Sequence, residues 1–314
     1  MADQDASAVP SRRLSHLEES LQLEKVQKDT FKTNGLLWHP PGGRGIYGGC
    51  IISQSLAAAQ RTVDDNFVCH SVQSHFLQHA SNDSHITYSV RRLREGRSYA
   101  TRGVQATQDG KHIYTALLSF SRTLPKNKKH VQHALTSTLS QVPNVERANV
   151  GYEIAERGFA PDVSPIALSE VSIPPQDRVL RCWIRAPERL YQTGTSLHQA
   201  ILAYLTDWLA LSVVSYVHGY FKFPETFIRS SKSSPIEDTA LGMLSTLNHS
   251  IYFHSSPSIR ADEWMLLEVS SPWAGDERAL GSGKIFSQDG TLLATYMQEG
   301  VVRLKQDAHR SSML

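Results

Sequence analysis

The chain has 314 residues, 32 Lys and Arg against 30 Asp and Glu, a formal net charge of +2 and an apolar fraction of 40%. That length suits two compact domains better than one, and so even a charge balance excludes nucleic acid as a bulk electrostatic partner. Three widely spaced cysteines (Cys50, Cys69 and Cys182) form neither a disulfide framework nor a zinc-ligand pattern, which points to a reducing compartment.

The first twenty residues, MADQDASAVPSRRLSHLEES, carry no apolar core of signal-peptide type. Next comes GGRGIYGGC, in which Gly43, Gly45 and Gly48 spell the G-x-G-x-x-G spacing of dinucleotide loops. The context rejects that reading. Pro40 and Pro41 stand where the preceding strand belongs, and the nearest acids, Asp64 and Asp65, lie in a turn. Two readings remain: a helix N-terminus whose N–H groups receive an anion or oxyanion, or glycines that permit close packing.

A helix is expected over Gly48 to Gln60, then strands over Val68 to Leu77, Ile86 to Leu93, Tyr99 to Thr107 and His112 to Ser121. A polar, Pro- and Lys-bearing stretch follows. Beyond it the plan recurs: a helix over Ser196 to Val214, then strands over Leu247 to His254, Trp264 to Ser270, Ala279 to Ser287 and Leu292 to Leu304. The apolar run at 200–217 is interrupted by Thr206, Asp207 and Ser212, so no membrane insertion is expected. Two motifs mark the repeat. His70-Ser71 and His249-Ser250 lie 179 residues apart (249 − 70), and the QDG turns at Gln108 and Gln288 lie 180 apart (288 − 108). The expected fold class is α+β, with two tandem units of antiparallel sheet around a helix. They span 12–124 and 174–306, joined by a linker at 125–173 and followed by a tail at 307–314.

Polar residues in apolar settings nominate a site. Asp207 is the only acid or base between His198 and His218. Burial there raises a carboxylate's pKa and suits a general base; the bland alternative is a helix-edge acid reaching solvent or an arginine. In the last strand Gln298 interrupts an apolar face, and its repeat counterpart is Leu118. One active and one structural half would explain the asymmetry. Cys50, at a helix start, with His70 as its base, forms a second constellation, against the commoner role of a free cysteine as a buried hydrophobe. Arg91, Arg92, Arg94, Arg97 and Arg102 gather at one hairpin, either to meet phosphates or as a solvated face. The histidines show no metal-ligand spacing with carboxylates, so no metal is expected.

The stretches YGGCIISQSLAAA, HSVQSHFL, LREGRSYATRGVQATQDGK, LNHSIYFH, ADEWMLLEVSSPWAG and QDGTLLATYMQEGVVR resemble the acyl-CoA thioesterase II family, the double-hotdog thioesterases of bacteria and peroxisomes. The resemblance runs from about Leu21 to Lys305 apart from the linker. It implies hydrolysis of acyl-CoA to free acid and CoA without a cofactor. It carries the family's catalytic groups onto Asp207, Thr246 and Gln298, with His70 as a secondary candidate. Gly48 and Gly49 then supply the loop-to-helix junction for an oxyanion or substrate. Three departures bear on acyl specificity: Cys50 stands for a usual Gln, Asn248 for a usual Asp, and Gln78-His79-Ala80 for Arg-Pro-Gly.

Competing readings are a hotdog enoyl-thioester hydratase or dehydratase, and a non-catalytic acyl-CoA-binding protein. Release of a specialised polyketide or fatty acyl product is a possible dedicated role. The resemblance implies a homo-oligomer, dimer or tetramer. Ser312-Met313-Leu314 loosely resembles a peroxisomal address, with a cytoplasmic location as the alternative.

Overall fold

The computed structural model describes residues 14–35, 37–40, 43–123, 129, 131–137, 159–163, 167–168, 172–219 and 241–305. The C-terminal tripeptide and most of the expected linker lie outside these residues.

The first half contains α1 (His16–Ser20), β1 (Leu23–Gln27), β2 (Thr30–Thr33), α2 (Gly48–Gln60), β3 (Phe67–Phe76), β4 (Thr87–Glu95), β5 (Tyr99–Gln108) and β6 (Lys111–Arg122). The second contains β7 (Asp162–Val163), β8 (Ala167–Leu168), β9 (Val179–Arg185), α3 (Thr195–Thr206), α4 (Ser212–Val217), β10 (Leu241–Phe253), β11 (Met265–Gly275), β12 (Arg278–Phe286) and β13 (Leu292–Leu304).

The strands join one 13-stranded sheet in the order β1-β2-β4-β5-β6-β3-β10-β13-β12-β11-β9-β7, with β8 also on β9. Read outward from the centre, the two halves follow the same plan: β3-β6-β5-β4 and β10-β13-β12-β11. They meet where β3 pairs antiparallel with β10, from Asn248↔His75 to Tyr252↔Ser71. The eight expected strands are all present, as is the α+β arrangement of sheet around helix, twice. The short or edge elements α1, β1, β2, β7, β8 and β9 were not expected. β1 illustrates why: only Leu23 of its five residues is buried, so it lacks an apolar alternation to read.

The first QDG makes a two-residue hairpin, with Asp109 at φ 48° and Gly110 at φ 74°, the left-handed pair that such a turn requires. The second sits in a longer connection, where Asp289 Oδ1 accepts from the Thr291 amide at 3.1 Å and from the Ser287 hydroxyl.

Inside the sheet α2 and α3 run antiparallel. The Tyr47 hydroxyl before α2 donates to Tyr204 O near the end of α3 (2.9 Å), and Gln60 Nε2 at the end of α2 donates to Ser196 O at the start of α3 (3.1 Å). Ile51, Ile52, Leu56, Ile201, Leu202 and Leu205 are almost fully buried, so each helix is core on most sides. The halves are also tied at the rim, where buried Glu18 of α1 accepts from the Tyr191 and Gln192 amides at 3.0 and 2.8 Å.

One expected element is broken. The helix expected over Ser196 to Val214 stops at Thr206, and α4 begins only at Ser212. Nothing in local propensity ends it; tertiary contacts do. A Cβ on Gly281 would lie 1.9 Å from Ala210 O, and one on Gly300 would lie 2.2 Å from Leu211 Cδ1. The two glycines let the turn at 207–211 press onto β12 and β13, and the helix gives way.

Candidate active site

Asp207 caps α3 at the point where the chain leaves the helix. Its Oδ1 accepts from Gln298 Nε2 at 2.8 Å and its Oδ2 from the Gly49 amide at 2.8 Å. The second bond places the carboxylate at the N-terminus of α2, where backbone N–H groups and the helix dipole favour negative charge. Close approach is possible only because α2 opens with glycines. A Cβ on Gly48 would lie 2.9 Å from Asp207 Oδ2, and one on Gly49 would lie 2.5 Å from Tyr204 O. Burial raises the carboxyl and the bonds from Gln298, Gly49 and Thr246 pull it part of the way back, which leaves its pKa at about 6.

Thr246 reaches the same point through a β-bulge. Strict alternation would group it with Asn248 and Ser250, away from His249. The β10–β13 register shifts between Thr246↔Gly300 and Asn248↔Glu299, so Leu247 is the extra residue. The shift puts Thr246 on the inner face with His249 and Gln298. Gln298 Nε2 then donates to Thr246 Oγ1 at 2.6 Å. Asp207 and Thr246, far apart in the chain, thus converge on the Gln298 carboxamide.

Gln298 is 1% exposed, on the inner face that the alternation of β13 assigns it. Its Oε1 faces His249 Nδ1 at 2.7 Å. Sequence reasoning gave His249 no role, although it was visible in the HS repeat and lies directly opposite Gln298 in the sheet. The structure brings His249, not His70, to the site. His70 lies four residues along β3 from Ser74, which pairs with His249. That is about 13 Å of strand. It makes no contact with Asp207, Thr246 or Gln298, and its buried Nε2 has no partner among the described residues.

Cys50 lacks the setting of a nucleophile. Its side chain is buried and burial pushes the thiol up to about 12. The arginines divide. Arg102 is fully buried and bonded to Thr62, Glu95 and the Arg94 carbonyl, and Arg92 pairs with Asp29 at 2.8 Å. Arg91, Arg94 and Arg97 are exposed. Among the described residues, no helix is long and apolar enough to cross a membrane.

Comparisons with known proteins give the family. The pattern of the "Acyl-CoA thioesterase N-terminal domain" matches residues 36–121, and that of the "Acyl-CoA thioesterase C-terminal domain" matches residues 137–302. The chain belongs to the acyl-CoA thioesterase II family. It is 30% identical to rat acyl-coenzyme A thioesterase 8, over 93% of this chain and 90% of the relative. It is 26% identical to the Saccharomyces cerevisiae peroxisomal acyl-coenzyme A thioester hydrolase 1, over 92% and 95%. The crystal structure of acyl-CoA thioesterase II TesB2 from Mycobacterium marinum superposes with a TM-score of 0.68 at 28% identity, covering 93% of this chain and 99% of that one. As a member of the family the protein is a double-hotdog thioester hydrolase, and its substrates are acyl-CoA thioesters.

Proposed function

We propose that Asp207, Thr246 and Gln298 form the hydrolytic centre of this acyl-CoA thioesterase. The reading rests on one observation: the Gln298 carboxamide joins the only carboxylate of the α3–α4 segment to the Thr246 hydroxyl. Asp207, with a pKa near 6, is largely ionised at neutral pH and takes a proton from water. The hydroxide adds to the thioester carbonyl, the C–S bond breaks, and the CoA sulfur leaves with the proton that Asp207 had taken. Acid and CoA thiol result, with no covalent enzyme intermediate. Thr246 and Gln298 orient the water.

The oxyanion donor needs one refinement. The Gly49 amide is engaged by Asp207 Oδ2, whereas the Gly48 amide has no acceptor among the described residues. Gly48 is therefore the donor of the pair that serves the oxyanion, and Gly49 holds the base.

The deciding experiment is thiol release from acyl-CoAs of graded length, with the intact protein beside Asp207→Asn. Turnover that collapses in the variant supports the assignment, and the panel gives the preferred acyl group. Equal turnover in both removes Asp207 from the role of base.

Three further readings belong to this proposal. The units are 12–124 and 174–306, joined through 125–173. The enzyme acts in peroxisomes, supported by the yeast relative's name and by Ser312-Met313-Leu314; a fluorescent fusion lacking that tripeptide stays cytoplasmic if the address works. It is a homo-oligomer. On the outer sheet face Leu117, Gln73, Ser250 and Met297 stand in one cross-strand row, uncharged, with Leu117 and Met297 51% and 45% exposed. Light scattering reads the mass directly.

A further inference from the structure

The two ends of the Gln298 carboxamide face different demands. Its nitrogen lies 2.8 Å from Asp207 Oδ1 and 2.6 Å from Thr246 Oγ1, and its oxygen lies 2.7 Å from His249 Nδ1. An ionised carboxylate only accepts hydrogen bonds, so Asp207 needs the amide NH2. The two ends of the amide are nearly the same size, so sterics alone do not stop a half-turn that would present Oε1 to Asp207.

The Asp207 carboxylate sets the orientation, and His249 is placed to hold it. The residue is 0% exposed, its ring stacks on Tyr296 with centroids 5.6 Å apart, and Ser74 Oγ donates to its carbonyl at 2.9 Å. Burial pushes the imidazole down to about 4, so the ring is neutral and carries a single N–H. Thr206 Oγ1 lies 2.9 Å from Nε2 and, having one hydrogen, gives it either to Nε2 or to Ala203 O at 2.8 Å. The acceptor Oε1 opposite Nδ1 decides the tautomer. The hydrogen sits on Nδ1, Nε2 is the acceptor, and the Thr206 hydroxyl donates to it.

We propose that His249 is a positioning residue for thioester hydrolysis. Its Nδ1–H, backed by Thr206, holds the Gln298 carboxamide with NH2 turned toward Asp207 and Thr246. The inference rests on the assignment of Asp207, Thr246 and Gln298 as the hydrolytic centre. His249 itself touches none of the reacting atoms.

A consequence separates this role from plain packing. Donation from Gln298 lowers the Asp207 pKa, so an amide that turns or wanders lets it rise. The other titratable groups facing the carboxylate are Tyr47 before α2, Cys50 in α2, Tyr114 in β6, Tyr204 in α3 and Tyr296 in β13. Burial keeps all five protonated and neutral across the working range, so none masks the shift.

The experiment measures kcat, KM and the pH profile of kcat/KM for thiol release by the full-length protein and its His249→Phe, His249→Asn and Asp207→Asn variants, with a melting curve for each. Phenylalanine keeps the ring over Tyr296 and removes the N–H; asparagine offers an amide N–H near the place of Nδ1. Supports behind reacting groups are worth about 10–100-fold at metal sites, and a kcat loss of that order is expected for H249F with KM little changed. Its acid limb moves to higher pH, and H249N recovers most of the lost kcat and returns the limb toward wild type. H249F within about twofold of wild type with an unmoved limb, while D207N is inactive, overturns the proposal. So do equal losses in H249F and H249N that track melting with the limb unmoved, since His249 is then only core. Turnover surviving in D207N removes the underlying site instead, a distinguishable failure. If H249F does not fold, Thr206→Val reads the same chain from its far end. A smaller kcat loss with the limb moved upward supports the relay, and an unmoved limb overturns it.

Discussion

Replacing Gln298 by leucine gives the second half the residue that the first carries at Leu118. Leu118 is fully buried on β6, so the strand position accepts leucine and the backbone is expected to hold. Two losses follow. First, Asp207 loses the bond that most lowers its pKa, so the carboxyl rises above about 6. A group of pKa about 6 is about nine-tenths ionised at pH 7, and one further unit leaves about half, so this loss costs less than about twofold. Second, the water loses the Thr246–Gln298 scaffold. Misplacing a reacting group by about 1 Å costs about 10²-fold, so the scaffold outweighs the ionisation. The buried His249 Nδ1–H is left without its acceptor, which costs about 1–3 kcal/mol of stability, offset in part by the added apolar burial. The assay is thiol release at saturating acyl-CoA across pH, with a thermal melt. A kcat within about twofold of wild type refutes the reasoning, and so does a loss that higher pH restores in full, since Gln298 would then only tune Asp207.

Asp207→Asn tests the pKa through stability. The carboxyl titrates near 3.8 unfolded and about 6 folded, so the native state holds a proton that the unfolded chain releases, and wild-type stability falls as pH rises through that window. The drop is about 3 kcal/mol and is absent in the variant, so the difference in unfolding free energy between the two should change by that amount between those pH values; a flat difference contradicts the raised pKa. Gly281→Ala puts a Cβ 1.9 Å from Ala210 O, so the 207–211 turn must move, with about 1–3 kcal/mol lost and kcat reduced; wild-type melting and turnover would show that the turn does not depend on the glycine. Cys50→Ser should keep wild-type kcat, and alkylating reagent at neutral pH should leave the native enzyme active, because the thiol is buried and titrates near 12. Inactivation that tracks modification of Cys50 would restore it as a nucleophile.

The sequence exposed what depends on periodicity. The two halves, their eight main strands and the inward face of Gln298 all follow from alternation and from the spacing of the QDG turns. Asp207 stood out because nothing else in an apolar segment was charged. The remainder depends on contacts between elements. The break after Thr206 is imposed by Gly281 and Gly300, more than 70 residues away in the chain. The bulge at Leu247 reverses the parity of Thr246, and no local signal marks it; only the family resemblance named that residue. A difference in connection length misled the repeat. Matching His70 to His249 by sequence offset is out of step with the sheet: β3 bulges at His70 where β10 bulges at Leu247, and paired positions lie three residues further apart in the second half (298 − 249 = 49 against 118 − 72 = 46). In the register Val72 stands opposite Leu118 as His249 stands opposite Gln298.

That register shows how differently the two halves fill their interiors. In the second half Gly281, Gln298 and His249 lie side by side across β12, β13 and β10, with Thr246 opposite Gly300 on the next inward row. The matching positions in the first half are Arg102, Leu118 and Val72, with Cys69 opposite Phe120. Where glycines leave room for the 207–211 turn, the first half fills the space with side chains. Arg102 reaches to the end of α2 and donates to Thr62 Oγ1 and O, both at 2.8 Å, and Phe120 is fully buried where Gly300 admits Leu211. The guanidinium binds the Thr62 carbonyl and hydroxyl just past the end of α2, so the chain leaving α2 is held by a structural contact. Emptying that space would orphan those bonds and open a cavity in the core, whereas filling the other would expel the turn that carries Asp207. Each half is thus committed by its glycines or by their absence: the first to hold α2 in place, the second to bring the C-terminal end of α3 against the N-terminal amides that α2 presents.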